Sequence, residues 1–174
     1  MQLRVAGITQ ESVVDGPGLR VVIFTQGCPH HCPGCHNPQT HDPNGGHLNT
    51  IEQILTVIEN SRLIRGVTFS GGEPFLQPKP LTYLAKQIQK RGLDIVTYTG
   101  FRFEELLALG LRRPEIKELL QHTDILIDGP YQAAERDLRL AFRGSRNQRL
   151  IDVQRSLRAG RVILWEDPAA RIWA

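Results

Sequence analysis

Four stretches of the chain are apolar, rich in β-branched residues, and closed by turn signals. They are "LRVVIFTQG" (19–27), "GVTFSGGEP" (66–74), "DIVTYTG" (94–100) and "TDILIDGP" (123–130). Each reads as a short strand, the first of them buried. Between them the hydrophobic period changes. Ile51, Ile54, Leu55 and Ile58 fall at i, i+3, i+4 and i+7, one apolar stripe behind a Thr50/Gln53 capping box. A second helix is predicted over 80–92, with Pro80 at its start, a stripe of Leu81, Leu84, Ala85 and Ile88, and Gly92 as its stop. "FEELLALG" and "PEIKELLQ" are shorter helical pieces.

The order strand, helix, strand, helix, strand, helix, strand predicts parallel strands joined by crossover helices. Eight such units need roughly 250 residues, and the chain has 174. The expected fold is therefore α/β, a partial (open) parallel βα barrel, with 1–174 forming one domain. Residues 138–165 are less regular; "RLIDVQ" and "RVILWE" are expected to be edge or antiparallel strands. The cysteine loop, "SGGEP" and "YTG" all follow strand C-terminal ends, where parallel α/β folds place their ligand sites.

Bulk composition adds little beyond exclusions. No apolar run approaches membrane-spanning length, and the N-terminus lacks a signal-peptide core, so a cytoplasmic protein without membrane contact is expected. Net charge is +3, but residues 136–161 carry eight arginines against two aspartates. That stretch is either a solvated face or a docking surface for an acidic macromolecule. Its arginines are not interleaved with aromatics as a base-stacking platform requires, so direct nucleic-acid binding is not expected.

The chemistry concentrates in "GCPHHCPGCHN" (27–37). All three cysteines of the chain, Cys28, Cys32 and Cys35, lie in these eleven residues. An odd, crowded set in a reducing compartment points to a metal or to redox chemistry. Three thiolates at C-x3-C-x2-C spacing are able to hold three corners of a 4Fe–4S cluster, which normally takes four cysteines. One iron would then stay open for substrate or cofactor. Zinc held by the three cysteines and one of His30, His31, His36 or His41 remains the alternative. Gly71 and Gly72 would let a small ligand touch bare backbone, and Glu73 is expected to accept from an ammonium group. Taken alone, "SGGEP" reads equally as a strand exit.

"CPHHCPGC" after a strand, with "SGGEP" one βα unit later, resembles the radical S-adenosylmethionine (radical SAM) superfamily. "VDGPGLRVVIFTQGC" running into "CHN" is similar to its glycyl-radical-enzyme activases. "CPGCHN", "DILIDGPY" and "LAFRGSRNQRLIDV" resemble the branch that activates anaerobic (class III) ribonucleoside-triphosphate reductase. The likeness spans about residues 12–155.

The resemblance implies that Cys28, Cys32 and Cys35 hold a 4Fe–4S cluster whose fourth iron is chelated by SAM. It implies that Gly71, Gly72 and Glu73 take the methionine end, and that Gly34, Cys35 and His36 lie along the adenosyl part. A flavodoxin-like donor would supply one electron, SAM would be cleaved to methionine and a 5′-deoxyadenosyl radical, and that radical would take a hydrogen from a glycine of the reductase. The superfamily often has an aromatic residue before the third cysteine; here it is Gly34, and His36 is the candidate to supply ring area instead. Thr99 in "YTG" is expected either to reach SAM or to form an ordinary turn, and Asp128 either to touch substrate or to hold one. Exposed edges of a partial barrel make a homodimer plausible. Other readings are a different glycyl-radical activase, a small radical SAM enzyme such as a 7-carboxy-7-deazaguanine synthase, or a zinc-binding interaction module.

Overall fold

The four apolar runs form the centre of one seven-stranded sheet. The computed structural model describes residues 1–167; residues 168–174, including Trp173 and the end of the expected 1–174 domain, lie outside the described part. The elements run β1 (Gln2–Ser12), β2 (Arg20–Thr25), β3 (His47–Thr50), α1 (Ile51–Asn60), β4 (Gly66–Gly71), α2 (Pro78–Gln89), β5 (Asp94–Tyr98), α3 (Phe103–Gly110), α4 (Pro114–Gln121), β6 (Ile125–Asp128), β7 (Arg149–Asp152) and α5 (Val153–Ala159). The strand order is β3-β1-β2-β4-β5-β6-β7. β2, β4, β5 and β6 are mutually parallel, β1 and β7 flank them antiparallel, and β3 pairs antiparallel with β1 at the edge. The fold is thus mixed α/β, with all four expected strands parallel.

Alternation along the strands separates two faces. Val21, Ile23, Val67, Phe69, Ile95 and Leu126 pack under the helices with Ile54, Leu84 and Leu119 in the main core. Val96, Ile125, Ile127 and Leu150 form a smaller cluster on the other face, joined by Tyr98, Phe142 and Trp165. The Thr50/Gln53 capping box forms as expected, and α1 starts there. Arg20, fully buried, anchors the 13–19 loop on the second face. Its guanidinium donates to the Pro17 carbonyl at 2.9 Å and the Thr68 hydroxyl at 2.8 Å. Thr68 in turn donates to the Asp15 carbonyl.

Some boundaries differ from the sequence reading: α2 runs Pro78–Gln89 rather than 80–92, and the C-terminal strands are shorter than expected. "RLIDVQ" is a strand only to Asp152, whose carboxylate accepts from Arg155 N and caps α5, turning the chain into a helix. "RVILWE" makes a single bridge, Leu164 to Ile151, because the Ile163 N–H is diverted to the Ser156 hydroxyl.

Candidate active site

A cavity of about 560 Å³ opens at the C-terminal ends of the parallel strands. Cys28, Cys32, Cys35, His36, Gly71, Gly72 and Thr99 all line it. Three segments far apart in sequence thus meet there. Backbone bonds shape the cysteine loop. Gly27 N donates to Thr40 O at 2.8 Å, Cys28 N to His41 O at 3.2 Å and Cys35 N to Cys32 O at 3.0 Å. The Asn37 N–H donates to Cys35 Sγ at 3.4 Å.

The Gly-Gly turn has a steric reason. A Cβ on Gly72 would stand 2.2 Å from the Gly27 carbonyl oxygen, and Gly71 has φ of +92°. The two backbones are pressed together, with Glu73 N donating to Gly27 O at 2.7 Å. Bare backbone is therefore presented directly beside the first cysteine.

Glu73 follows the Gly-Gly turn. It is fully buried and does not line the cavity. One oxygen accepts from Phe75 N, the other from Gly100 N at 2.9 Å, and the Thr99 hydroxyl lies 3.0 Å from both. His30 Nε2 sits 2.8 Å from the second oxygen. These bonds hold the carboxylate to the cysteine loop and to the chain after β5. Glu73 thereby ties the cysteine loop to the end of β5. Gly34 is exposed, at φ of +75°, with Tyr131 beside it.

Asp128 holds a turn. It is buried, accepts from Phe103 N at 2.8 Å at the start of α3, and pairs with Arg149. Arg149 also reaches Glu104, and the Arg139–Asp137 pair is local. Arg136 and Arg143 line the cavity. Arg146, Arg155, Arg158 and Arg161 stand exposed, so the arginine-rich stretch is divided among ion pairs, the cavity wall and a solvated face. Sequence reasoning gave no role to residues 136–148 as the far wall, nor to Tyr98, whose hydroxyl donates to the Phe142 carbonyl. The only available signals were the "DGPY" and "RGSRNQ" segments.

The donor set can be tested against its two candidate occupants. The three thiols are free and half-buried. Burial pushes the Cys28 thiol up, so a cationic partner is needed to hold it as thiolate. His30 is engaged by Glu73, His36 packs against Tyr131, and His31 and His41 pair with each other, their Nδ1 atoms 3.3 Å apart. Among the described residues no three Cys, His, Asp or Glu side chains converge on one ion position. A structural zinc site gathers four ligands at one point, whereas a 4Fe–4S cluster takes its thiolates on separate irons. The thiols fit the cluster.

Comparison with known proteins agrees. Residues 14–151 match the family described as a 4Fe-4S single cluster domain. The anaerobic ribonucleoside-triphosphate reductase-activating protein of Enterobacteria phage T4 is 37% identical over 145 residues, covering 79% of this chain and 86% of that one. The protein of the same description from Escherichia coli K12 is 34% identical over 145 residues, covering 78% and 90%. The chain belongs to this family of radical SAM activating proteins. A more distant relative is the pyruvate formate-lyase-activating enzyme of Clostridium pasteurianum, 36% identical over 129 residues but matched over only half its own length. This activase is accordingly a radical SAM oxidoreductase that uses a 4Fe–4S cluster and S-adenosylmethionine. Among the described residues no helix is long and apolar enough to cross a membrane.

Proposed function

We propose that the protein cleaves SAM reductively and generates a glycyl radical on an anaerobic ribonucleoside-triphosphate reductase. The observation that carries this is the meeting of three free thiols and the Gly71–Gly72 backbone on one cavity. Cys28, Cys32 and Cys35 hold the cluster. Gly71 and Gly72 take the methionine end of SAM through their backbone, and Thr99 lies beside them. Gly34, Cys35 and His36 flank the adenosyl side. Glu73 positions the cysteine loop. The cluster and SAM, when bound and given one electron by an external donor, would supply the reductive cleavage of SAM and the hydrogen abstraction from the glycine.

The protein's own part is to orient the cofactor, exclude water and admit a polypeptide loop. The architecture is read as a partial βα barrel of one domain, open enough on the strand-end side for a protein substrate. Two apolar residues, Val13 and Val14, are exposed on the cavity rim, where such a loop would enter. A flavodoxin-like protein is the proposed electron donor and the cytoplasm the proposed location. The exposed β3 edge, where Leu48 stands open, supports a homodimer.

The test is anaerobic. Protein reconstituted with iron and sulfide should show the visible absorption of a 4Fe–4S centre. With SAM and dithionite it should release 5′-deoxyadenosine, and with the reductase it should give a glycyl EPR signal. Cleavage without that signal would remove the reductase as substrate. Cys32→Ala should lose both the absorption and the cleavage; cleavage retained would refute the ligand assignment.

A further inference from the structure

We infer that Tyr131, backed by His36, is the surface on which the adenine of SAM stacks, and that the "RGSRNQ" segment holds that ring in place. This rests on the SAM reading above. A ligand whose methionine end lies at the thiols and the Gly71–Gly72 backbone must place its purine elsewhere in the same cavity, and a purine needs an aromatic face. Two other rings on the wall, Tyr98 and Phe142, pack against the smaller apolar cluster and are tied together, the Tyr98 hydroxyl donating to the Phe142 carbonyl. Tyr131 and His36 form the ring pair of the wall, with centroids 4.9 Å apart and a 46° tilt. His36 is exposed and Tyr131 half-buried.

Gly144 keeps the space around the Tyr131 ring, while Gly34, at φ of +75°, turns the chain beside it at ordinary contact distance. A Cβ on Gly34 would lie 3.5 Å from Tyr131 Cε1. On Gly144 it would lie 3.1 Å from two ring atoms of Tyr131 and 3.3 Å from His36 Cε1. A side chain at 144 would therefore press on both rings.

The backbone carrying Tyr131 is fixed on both sides by one short segment. Asn147 Nδ2 donates to the Pro130 carbonyl at 2.8 Å, and Gln148 Nε2 to the Gly129 carbonyl at 3.2 Å. Gln132 N donates to the buried Ser145 hydroxyl at 3.2 Å. Gln148 Oε1 accepts from Gly144 N and Ser145 N, closing the frame. A turn of coil held this way presents its ring without an ordering cost on binding. This gives the "RGSRNQ" segment a function that its place outside the regular elements conceals.

The experiment measures binding to the reconstituted, iron-loaded protein by equilibrium dialysis, with SAM, 5′-deoxyadenosine and methionine as separate probes. Loss of a base–aromatic stack weakens binding roughly 10-fold or more. Tyr131→Leu should therefore bind SAM and 5′-deoxyadenosine about 10-fold more weakly, bind methionine as the parent does, and keep its iron content and visible spectrum. Tyr131→Phe should match the parent. Gly144→Ala, which keeps the ring but displaces it, should weaken 5′-deoxyadenosine in the same direction and guards against a folding defect in the first variant. Unchanged 5′-deoxyadenosine binding in both Tyr131→Leu and Gly144→Ala overturns the inference. So does an equal loss of methionine binding, or a loss confined to reductase activation, which would give the ring to the protein substrate. A parent protein that binds no SAM would overturn the functional reading itself, and the parent control separates that failure from this one.

Discussion

Glu73 shows how far one residue's role depends on partners that sequence cannot display. Its type and place after Gly71–Gly72 suggested an acceptor for a ligand. In the structure its donors come from His30 and from Thr99 and Gly100, 43, 26 and 27 positions away. Each oxygen accepts a backbone N–H, one from Phe75 and one from Gly100. A Gln at this position would turn an NH2 toward one of those donors in either flip. Leaving such buried donors opposed costs about 2–3 kcal/mol. Glu73→Gln should therefore lower stability by about that amount in a denaturant titration, and it should retain less iron on reconstitution, since His30 lies inside the cysteine loop. A variant as stable as the parent with full iron content would show that the carboxylate is not what holds the loop. The cysteines, by contrast, were legible without any structure, because their meaning lies in local spacing.

At the scale of elements, legibility follows burial. The four parallel strands are continuous β-branched runs because both faces of each are covered, and that pattern survives in the sequence. β1 was not foreseen: its burial alternates only around Leu3 and Val5 and then fades toward solvent. β3 has one apolar residue, Leu48, and that one is exposed. The joint between β6, β7 and α3 was likewise unreadable, being made by charge. Asp128 is buried, accepts from Phe103 N and receives Arg149 on both oxygens. Arg149 is bound by Glu104 as well, which holds the Glu104 carboxyl below its ordinary pKa. Removing one member of a buried pair costs 3–5 kcal/mol, and Arg149 keeps some solvent contact, so Asp128→Ala should cost about 3 kcal/mol. Asp128→Asn, which retains one acceptor, should cost less. The check is denaturant unfolding of the three proteins side by side; an Ala variant within about 0.5 kcal/mol of the parent would mean the joint is carried by β6–β7 pairing alone.

For the whole molecule, the layout separates a sheet that is stable by itself from a rim that is completed by its ligand. The main core spans the helix-covered face from Leu3 to Val153 without using any residue of the cysteine loop. The loop over residues 28–37 has half-buried thiols, exposed Pro29, His31, Pro33 and His36, and few backbone bonds of its own. A ligand that binds only the folded state stabilises most strongly the segment it touches. Hydrogen exchange on protein without and with reconstituted cluster should therefore show slow amides in β2, β4, β5 and β6 in both states. Residues 28–37 should exchange fast without the cluster and become protected with it. Adding SAM should extend that protection to residues 129–132 and 144–148, because the far wall is the part of the cavity that the thiols do not reach. If stripping the cluster instead released the amides of the parallel strands, the cluster would be part of the core's stability, and the reading of a prebuilt sheet with a ligand-completed rim would have to be given up.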